Sequence, residues 1–325
     1  MISVDVCQNG KTVTSGVDAD RISDLLRQPH KLLWVDVDAP DDHAWEVLRR
    51  EFNFHPLALE DARKQNQRPK VDEYPDCLFL SIREWTGLNQ ATDDVVDATE
   101  EIDVFVGRNY LVTIHQNGSQ AICEIRRRWE SHPERLEASP GALLYILLDT
   151  IVDGYFPAMD AIDSAIDEVE SAVYTRSDDV QMGAVLLLKK RLLLLRQTVA
   201  PLRDVMNHLL RQDTPFISAR HRVYYMDVFD HVLRLIEQID MHRDILGGVL
   251  DAAMAQTSNR LNQVMKTLTV FSIALMSASL IAGIYGMNFK NMPELNWPGG
   301  YYLALGAMAA VVGGLLLYFR RIKWL

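Results

Sequence analysis

Side chains that could line a path for ions lie on one face of a segment near the C-terminus. They are small, polar or methionine residues, and they recur at intervals of three or four, the spacing of neighbours on one side of an α-helix. Several copies of this stripe around a shared axis would line a channel, whereas a single copy could simply pack against another membrane helix. The stripe consists of Asn262, Met265, Leu268, Ser272, Met276, Ser279 and Gly283.

A polar triplet, Gly286, Met287 and Asn288, follows the stripe and ends the uncharged stretch 267–289. The amide oxygen of Asn288 can accept hydrogen bonds from the water shell of a cation, so a ring of such residues could recognise a hydrated ion. Glycine and asparagine also commonly end helices as C-caps. Both roles are open at this point.

Two uncharged stretches, 267–289 and 295–319, are long enough to cross a bilayer, which needs about 20 apolar residues. Basic residues precede the first stretch and follow the second, so the positive-inside rule places both termini in the cytoplasm. We expect a multi-pass protein of the cell inner (plasma) membrane, without a cleavable secretory signal in its polar first residues. The flanking basic residues are Arg260, Lys266, Arg320, Arg321 and Lys323.

The rest of the chain predicts an α+β domain followed by long helices. Strand-like runs cover 32–37, 77–82, 101–106 and 110–114, and residues 217–287 contain no proline that would end a helix. The predicted organisation is a cytoplasmic α/β domain at 1–140, a long-helix stalk at 141–260, a first transmembrane pore helix at 261–289, an extracytoplasmic loop at 290–298, a second transmembrane helix at 299–319 and a basic cytoplasmic tail at 320–325.

Charge is distributed unevenly along the chain. The net charge is −11, but residues 260–325 carry six basic side chains and one acidic one. The remainder is therefore strongly acidic, which disfavours nucleic acid as a partner and concentrates divalent cations. Catalytic motifs such as His-Glu-x-x-His or Gly-x-Ser-x-Gly do not occur in the sequence. A membrane-anchored enzyme is therefore a less favoured hypothesis than an ion channel. The three cysteines show no paired spacing.

The Gly-Met-Asn triplet between two spans, with Met292-Pro293-Glu294-Leu295 after it and Lys323-Trp324-Leu325 at the end, resembles the CorA family of magnesium channels. The resemblance implies a funnel-shaped homopentamer in membrane lipid that conducts Mg²⁺, and also Co²⁺ and Ni²⁺, into the cytoplasm down the electrochemical gradient. It implies hydrophobic constrictions at Met265, Leu268 and Met276. It also implies polar, wider parts of the pore at Asn262, Ser279, Gly283 and Asn288, and no organic cofactor.

The same resemblance implies that cytoplasmic Mg²⁺ closes the channel by binding between subunits. Asp227 lies at the matching distance before the triplet, and Asp93 is the nearest acid to the position of its usual partner, around Gly87. Many members carry a proline after the residue matching Met276, whereas Ser277 stands here. The alternative is a proton-coupled Zn²⁺ transporter of the related ZntB branch. That branch usually has isoleucine where Met287 stands, so the triplet favours magnesium.

Overall fold

The computed structural model describes residues 1–8, 12–87, 98–131, 139–174, 182–211, 215–293 and 297–324. The chain divides into two compact units, Met1–Gly248 and Val249–Leu325. Their elements are described separately below.

A seven-stranded mixed sheet organises the first unit. Its strand order is β2-β1-β3-β7-β6-β5-β4. The β3–β7 pair is parallel, while the other neighbouring strands run antiparallel. The strands are β1 (Ile2–Gln8), β2 (Thr12–Thr14), β3 (Lys31–Asp38), β4 (Lys70–Glu73), β5 (Leu78–Trp85), β6 (Thr99–Val106) and β7 (Tyr110–His115).

Helices cover both faces of this sheet. On one face, α1 (Ile22–Leu26), α2 (Asp42–Phe52) and α3 (Pro56–Lys64) bury apolar residues against the strands. On the other face, α4 (Gln120–Ser131) places Trp129 against Trp34, with ring centroids 5.6 Å apart. The α+β prediction for this region is confirmed as a sheet between two helical layers.

The sequence-based strand assignment was incomplete, because β1, β2 and β4 were not predicted. The edge strand β4 has the sequence KVDE and is only partly buried, so it lacks the apolar run by which the central strands were found. The strand β1 alternates apolar and polar residues, a period-two signal that the prediction passed over.

Long helices follow the sheet, namely α5 (Pro140–Asp153), α6 (Phe156–Tyr174), α7 (Met182–Arg211) and α8 (Arg222–Tyr285). Within the long-helix region predicted from residue 141 onward, the chain breaks between α5 and α6 at Gly154 and Tyr155. Pro157 lies in the first turn of α6, where its missing N–H costs nothing. The proline-free stretch 217–287 agrees with α8, which runs without interruption to Tyr285.

The second unit contains the end of α8 and the helix α9 (Gly300–Arg321). Among the described residues, three segments are long and apolar enough to cross a membrane: Pro140–Val173, Ala219–Tyr285 and Gly300–Arg321. The first is more than half buried inside the first unit, whereas 11% of the most apolar window is buried in each of the other two. An apolar surface that the protein itself leaves exposed suits a lipid environment.

Candidate functional site

The last turns of α8 have one buried face and one open face. Val270 is fully buried and Ala274 is 8% exposed, while Met276 is 70% exposed. With about 100° of rotation per residue, the predicted stripe lies roughly opposite the buried face. All seven of its residues are exposed in the single chain. A Cβ atom added at Gly283 would meet no neighbouring atom within 4 Å. The stripe is therefore available to something outside the chain.

The hydroxyl groups of this helix differ in their partners. Ser277, on the buried side, donates to the carbonyl oxygen of Ile273 at 2.7 Å, and Thr269, beside the stripe, donates to the carbonyl oxygen of Met265 at 2.8 Å. The side-chain hydroxyls of the stripe residues Ser272 and Ser279 make no hydrogen bond to any described residue. A hydroxyl inside a bilayer needs a partner, so these two groups suit a face that meets water or ions.

The helix ends in a short turn before the Gly-Met-Asn triplet. The N–H of Gly286 donates to Ala282 at 2.9 Å, and that of Met287 to Ile284 at 3.2 Å. Neither Gly286 nor Asn288 has a positive φ angle, so neither is the left-handed C-cap that the sequence left open. Asn288 is exposed and its amide bonds to no described residue. The helix continues through Ser277 without a proline.

The second unit also links its two helices through aromatic contacts. The Lys266 ammonium lies 5.9 Å from the ring centroid of Trp324, and this ring stacks on Phe319 at 5.7 Å. The chain reverses at Lys323, which has a φ of 57°. The C-terminal tail therefore folds back onto the start of the membrane-crossing part of α8.

In the first unit, Asp227 belongs to a group that could hold a metal ion. Ligand atoms of Asp149, Asp227 and His231 all lie within 4.8 Å of one another. Asp149 comes from α5 and the other two from adjacent turns of α8. Asp153 adds a further carboxylate, 3.6 Å from the Nδ1 atom of His231.

The electrostatics of this group suit a cation. Burial raises the pKa of Asp149 above its usual value, and the nearby carboxylates of Asp153 and Asp227 raise it further. A bound divalent ion would offset the electrostatic repulsion between these carboxylates. Two carboxylates fit Mg²⁺, which prefers oxygen ligands and keeps several waters, while a histidine nitrogen also suits ions such as Co²⁺, Ni²⁺ or Zn²⁺.

Sequence reasoning found Asp227 but missed Asp149 and His231. A signal was present, because Asp149 and Asp153, like Asp227 and His231, are four residues apart and share a helix face. That α5 lies beside α8 could not be read from this spacing. The other predicted regulatory residue, Asp93, lies outside the described residues.

The sequence model of the CorA-like Mg²⁺ transporter proteins matches residues 29–321. The chain belongs to the CorA-like family. Two relatives match along most of their length. The YfjQ protein of Bacillus subtilis (strain 168) is 38% identical over 291 residues, which cover 90% of this chain and 89% of that protein. The cobalt/magnesium transport protein CorA of Thermotoga maritima is 32% identical over 299 residues, 90% of this chain and 83% of that one.

A solved structure shares the whole fold. The complete CorA magnesium transporter of Methanocaldococcus jannaschii superposes with a TM-score of 0.84 at 23% identity, covering 99% of this chain and 98% of that one. The ZntB cytoplasmic domain of Vibrio parahaemolyticus gives a TM-score of 0.62 at 14% identity and covers 79% of this chain and 99% of that domain. The structural similarity to the ZntB domain is therefore weaker than the similarity to the CorA transporter.

Membership in the CorA-like family makes the chain a divalent metal ion transporter of membranes, not an enzyme. The recognition drawn from the Gly-Met-Asn triplet is thereby confirmed. The apolar helices at the C-terminus agree with a membrane location.

Proposed function

We propose that copies of this chain assemble around an axis into a homopentameric channel that conducts Mg²⁺, and also Co²⁺ and Ni²⁺, into the cytoplasm. The observation that carries the proposal is the exposed stripe of α8, which lies opposite the buried face and leads to Asn288. Two membrane helices cannot enclose a pore alone, so the stripe needs equivalent copies to complete a lining. The pentameric number comes from the family resemblance.

The pore passes the ion with part or all of its water shell. Mg²⁺ gives up its waters reluctantly, so a ring of neutral amides that bonds to those waters lowers the barrier more than direct ligands would. Gly286, Met287 and Asn288 form this selectivity filter, with the Asn288 amide as the polar group. Further along, Asn262, Ser272, Ser279 and Gly283 supply the polar and wide positions.

Closure takes place at apolar rings of the same stripe. Met265, Leu268 and Met276 are more than half exposed in the single chain, and around an axis their side chains would face one another. A narrow apolar ring loses its water and stops ions. In the open state the membrane potential drives a divalent ion inward with about 4.6 kcal/mol per 100 mV, so no ATP is required.

Both chain termini lie in the cytoplasm of a cell whose inner membrane holds the two spans. The basic groups of Arg320, Arg321 and Lys323 follow the second helix, in agreement with the positive-inside rule. Tyr301 and Tyr302 open that helix and are largely exposed, as is typical of an interfacial aromatic belt. Lipid contacts the remaining apolar surface.

Cytoplasmic Mg²⁺ closes the channel by binding at Asp227. In this proposal Asp149 and His231 complete the site from the same chain, and Asp93 contributes from a neighbouring subunit. The crowded carboxylates support the assignment, because their mutual repulsion is relieved by a bound dication.

Ion uptake into liposomes tests this function. The purified protein is reconstituted with a Mg²⁺ indicator inside and an inside-negative potential, beside Asn288→Ala and the control Asn291→Ala, an exposed asparagine three residues further along. We expect potential-driven Mg²⁺ uptake that is lost in Asn288→Ala and kept in Asn291→Ala. Proton-dependent Zn²⁺ uptake without Mg²⁺ uptake would contradict the proposal and favour the ZntB-like alternative.

A further inference from the structure

A pocket lined by hydrogen-bond donors lies in the first unit, and its lining residues are not those of the predicted pore or of the Asp227 group. It has a volume of about 450 Å³ and is formed where α7 packs beside the loop that leads from α3 to β4. Its lining contains three arginines and three side-chain amides but no carboxylate. The whole chain has a net charge of −11, so a pocket lined by arginines and amides without a carboxylate stands out. Such a lining favours the binding of an anion.

A buried carboxylate fixes the shape of this pocket from behind. Glu101 accepts hydrogen bonds from the backbone N–H groups of Asn66 and Gln67 at 2.7 and 2.9 Å, and from Arg83 at 2.6 Å. Asn66 and the residue before it have left-handed φ angles of 72° and 51°, which let consecutive N–H groups point to one oxygen. The loop is therefore held in place before any ligand arrives.

Two arginines of the pocket keep donors for a ligand. Arg83 is used up by Glu101, Thr99 and the Gln67 carbonyl. Arg68, by contrast, is exposed, and within the described part of the chain no hydrogen bond or ion pair occupies it. Arg196 makes one loose contact, 3.5 Å from Asp240. Guanidinium groups bind phosphate oxygens in pairs of parallel hydrogen bonds.

Part of the pocket wall is apolar and includes a backbone carbonyl that lacks its usual helical donor. The apolar residues are Pro69 from the loop and Ala200 and Pro201 from α7. Pro201 stands inside α7, and since proline has no N–H it cannot donate to the carbonyl of Gln197. A ligand with a flat apolar part and a donor group could use this wall, and the volume is in the range of small-molecule sites.

We propose that this pocket binds a phosphate-bearing anion, with Arg68 and Arg196 holding the phosphate group. Inorganic phosphate and a nucleoside monophosphate share this chemistry, and the apolar wall would add contacts only for the nucleotide. Binding at this site does not depend on ion transport.

The test is calorimetric titration of the full-length protein in detergent with inorganic phosphate and, separately, with AMP. EDTA is present throughout so that metal binding near Asp227 does not contribute. We expect Arg68→Gln and Arg196→Gln each to weaken binding about tenfold, as the loss of a charge-assisted hydrogen bond implies. The matched control is Arg203→Gln, two turns further along α7 and paired with its neighbour Asp204, which should bind like the wild type.

Both probes decide the proposal. Tighter binding of AMP than of phosphate would support a nucleotide that uses the apolar wall, and equal binding would support the phosphate group as the whole recognised unit. No heat from either probe at millimolar concentration, or equal weakening in Arg68→Gln and Arg203→Gln, would overturn it. Arg68 is exposed, so its replacement keeps the test valid even if Arg196→Gln does not fold.

Discussion

Most of the buried carboxylates described in the first unit have hydrogen-bond partners within the chain, whereas the exposed polar groups on one face of the second unit do not. Arg126 donates to Asp5 at 2.7 Å and to Asp36 at 2.9 Å, and both carboxylates are buried. In the second unit, the hydroxyls of Ser272 and Ser279 and the amide of Asn288 bond to no described residue. The first pattern stabilises one chain, and the second is suited to groups that come from outside it.

The strongest test of this difference removes the cation from the paired network. Arg126→Met would leave Asp5 buried without a cation, while Asp36 would keep Thr113 and His115. Removing one partner of a buried ion pair typically costs 3–5 kcal/mol, or about 10 °C in melting temperature for a unit of this size. The neighbouring Arg127, on the surface beside Glu124, is the matched control, and Arg127→Met should cost no more than about 1 kcal/mol. Thermal unfolding of the full-length protein in detergent measures both. Equal melting temperatures for the two variants would contradict the account.

Asp103 is an exception within the first unit, and it predicts a pH dependence. It is fully buried, and its two oxygens have no hydrogen-bond partner among the described residues. Burial and the charge of Glu101 raise its pKa from 3.8 to about 8. The folded protein thus holds a proton that the unfolded chain releases, so this group makes stability fall as pH rises from about 4 to 8.

Replacing Asp103 by asparagine removes this ionisation while keeping the shape. We expect Asp103→Asn to be more stable than the wild type by on the order of 1–3 kcal/mol near the upper end of that pH range, and the gain to vanish near the lower end. Melting temperatures recorded across the range measure it. A gain that does not change with pH would show that ionisation of Asp103 is not its cause.

The second unit is tested by making its apolar ring polar. Met276→Ser should increase ion leak through the closed channel about tenfold, because a polar ring keeps its water. Phe271 is also more than half exposed but lies about 140° around the helix from Met276, so Phe271→Ser should leave the leak unchanged. Liposome flux with closing concentrations of Mg²⁺ on the cytoplasmic side separates the two. Similar leaks in both variants would mean that the stripe does not form the gate.

The smallest effect is expected at the Asp227 group. Asp227→Asn should raise the Mg²⁺ concentration that half-closes the channel several-fold, because one of the carboxylates that crowd the site is lost. Asp230 is exposed and one turn further along α8, and Asp230→Asn serves as the control. Unchanged closure in Asp227→Asn, measured in the same flux assay, would remove this residue from regulation.

Local patterns in the sequence predicted the features that lie within a single helix. The stripe and the uncharged stretches could be found because the period of a helix fixes which residues share a face. The polar edge strand β4 was missed because its pattern is not apolar. Asp149 could not be paired with Asp227 because 78 residues separate them and the packing of α5 beside α8 is a tertiary contact. The pocket behind Arg68 depends on such contacts too.

Cysteine labelling tests most directly whether the open face of α8 meets water in the assembled channel. In a Cys123→Ser background only the buried Cys7 and Cys77 remain, and burial raises the pKa of Cys77 to about 11, which keeps it unreactive. A charged thiol reagent should modify Ser279→Cys and block Mg²⁺ flux, but leave Ser277→Cys unmodified. Modification of Ser277→Cys with protection of Ser279→Cys would contradict the central claim.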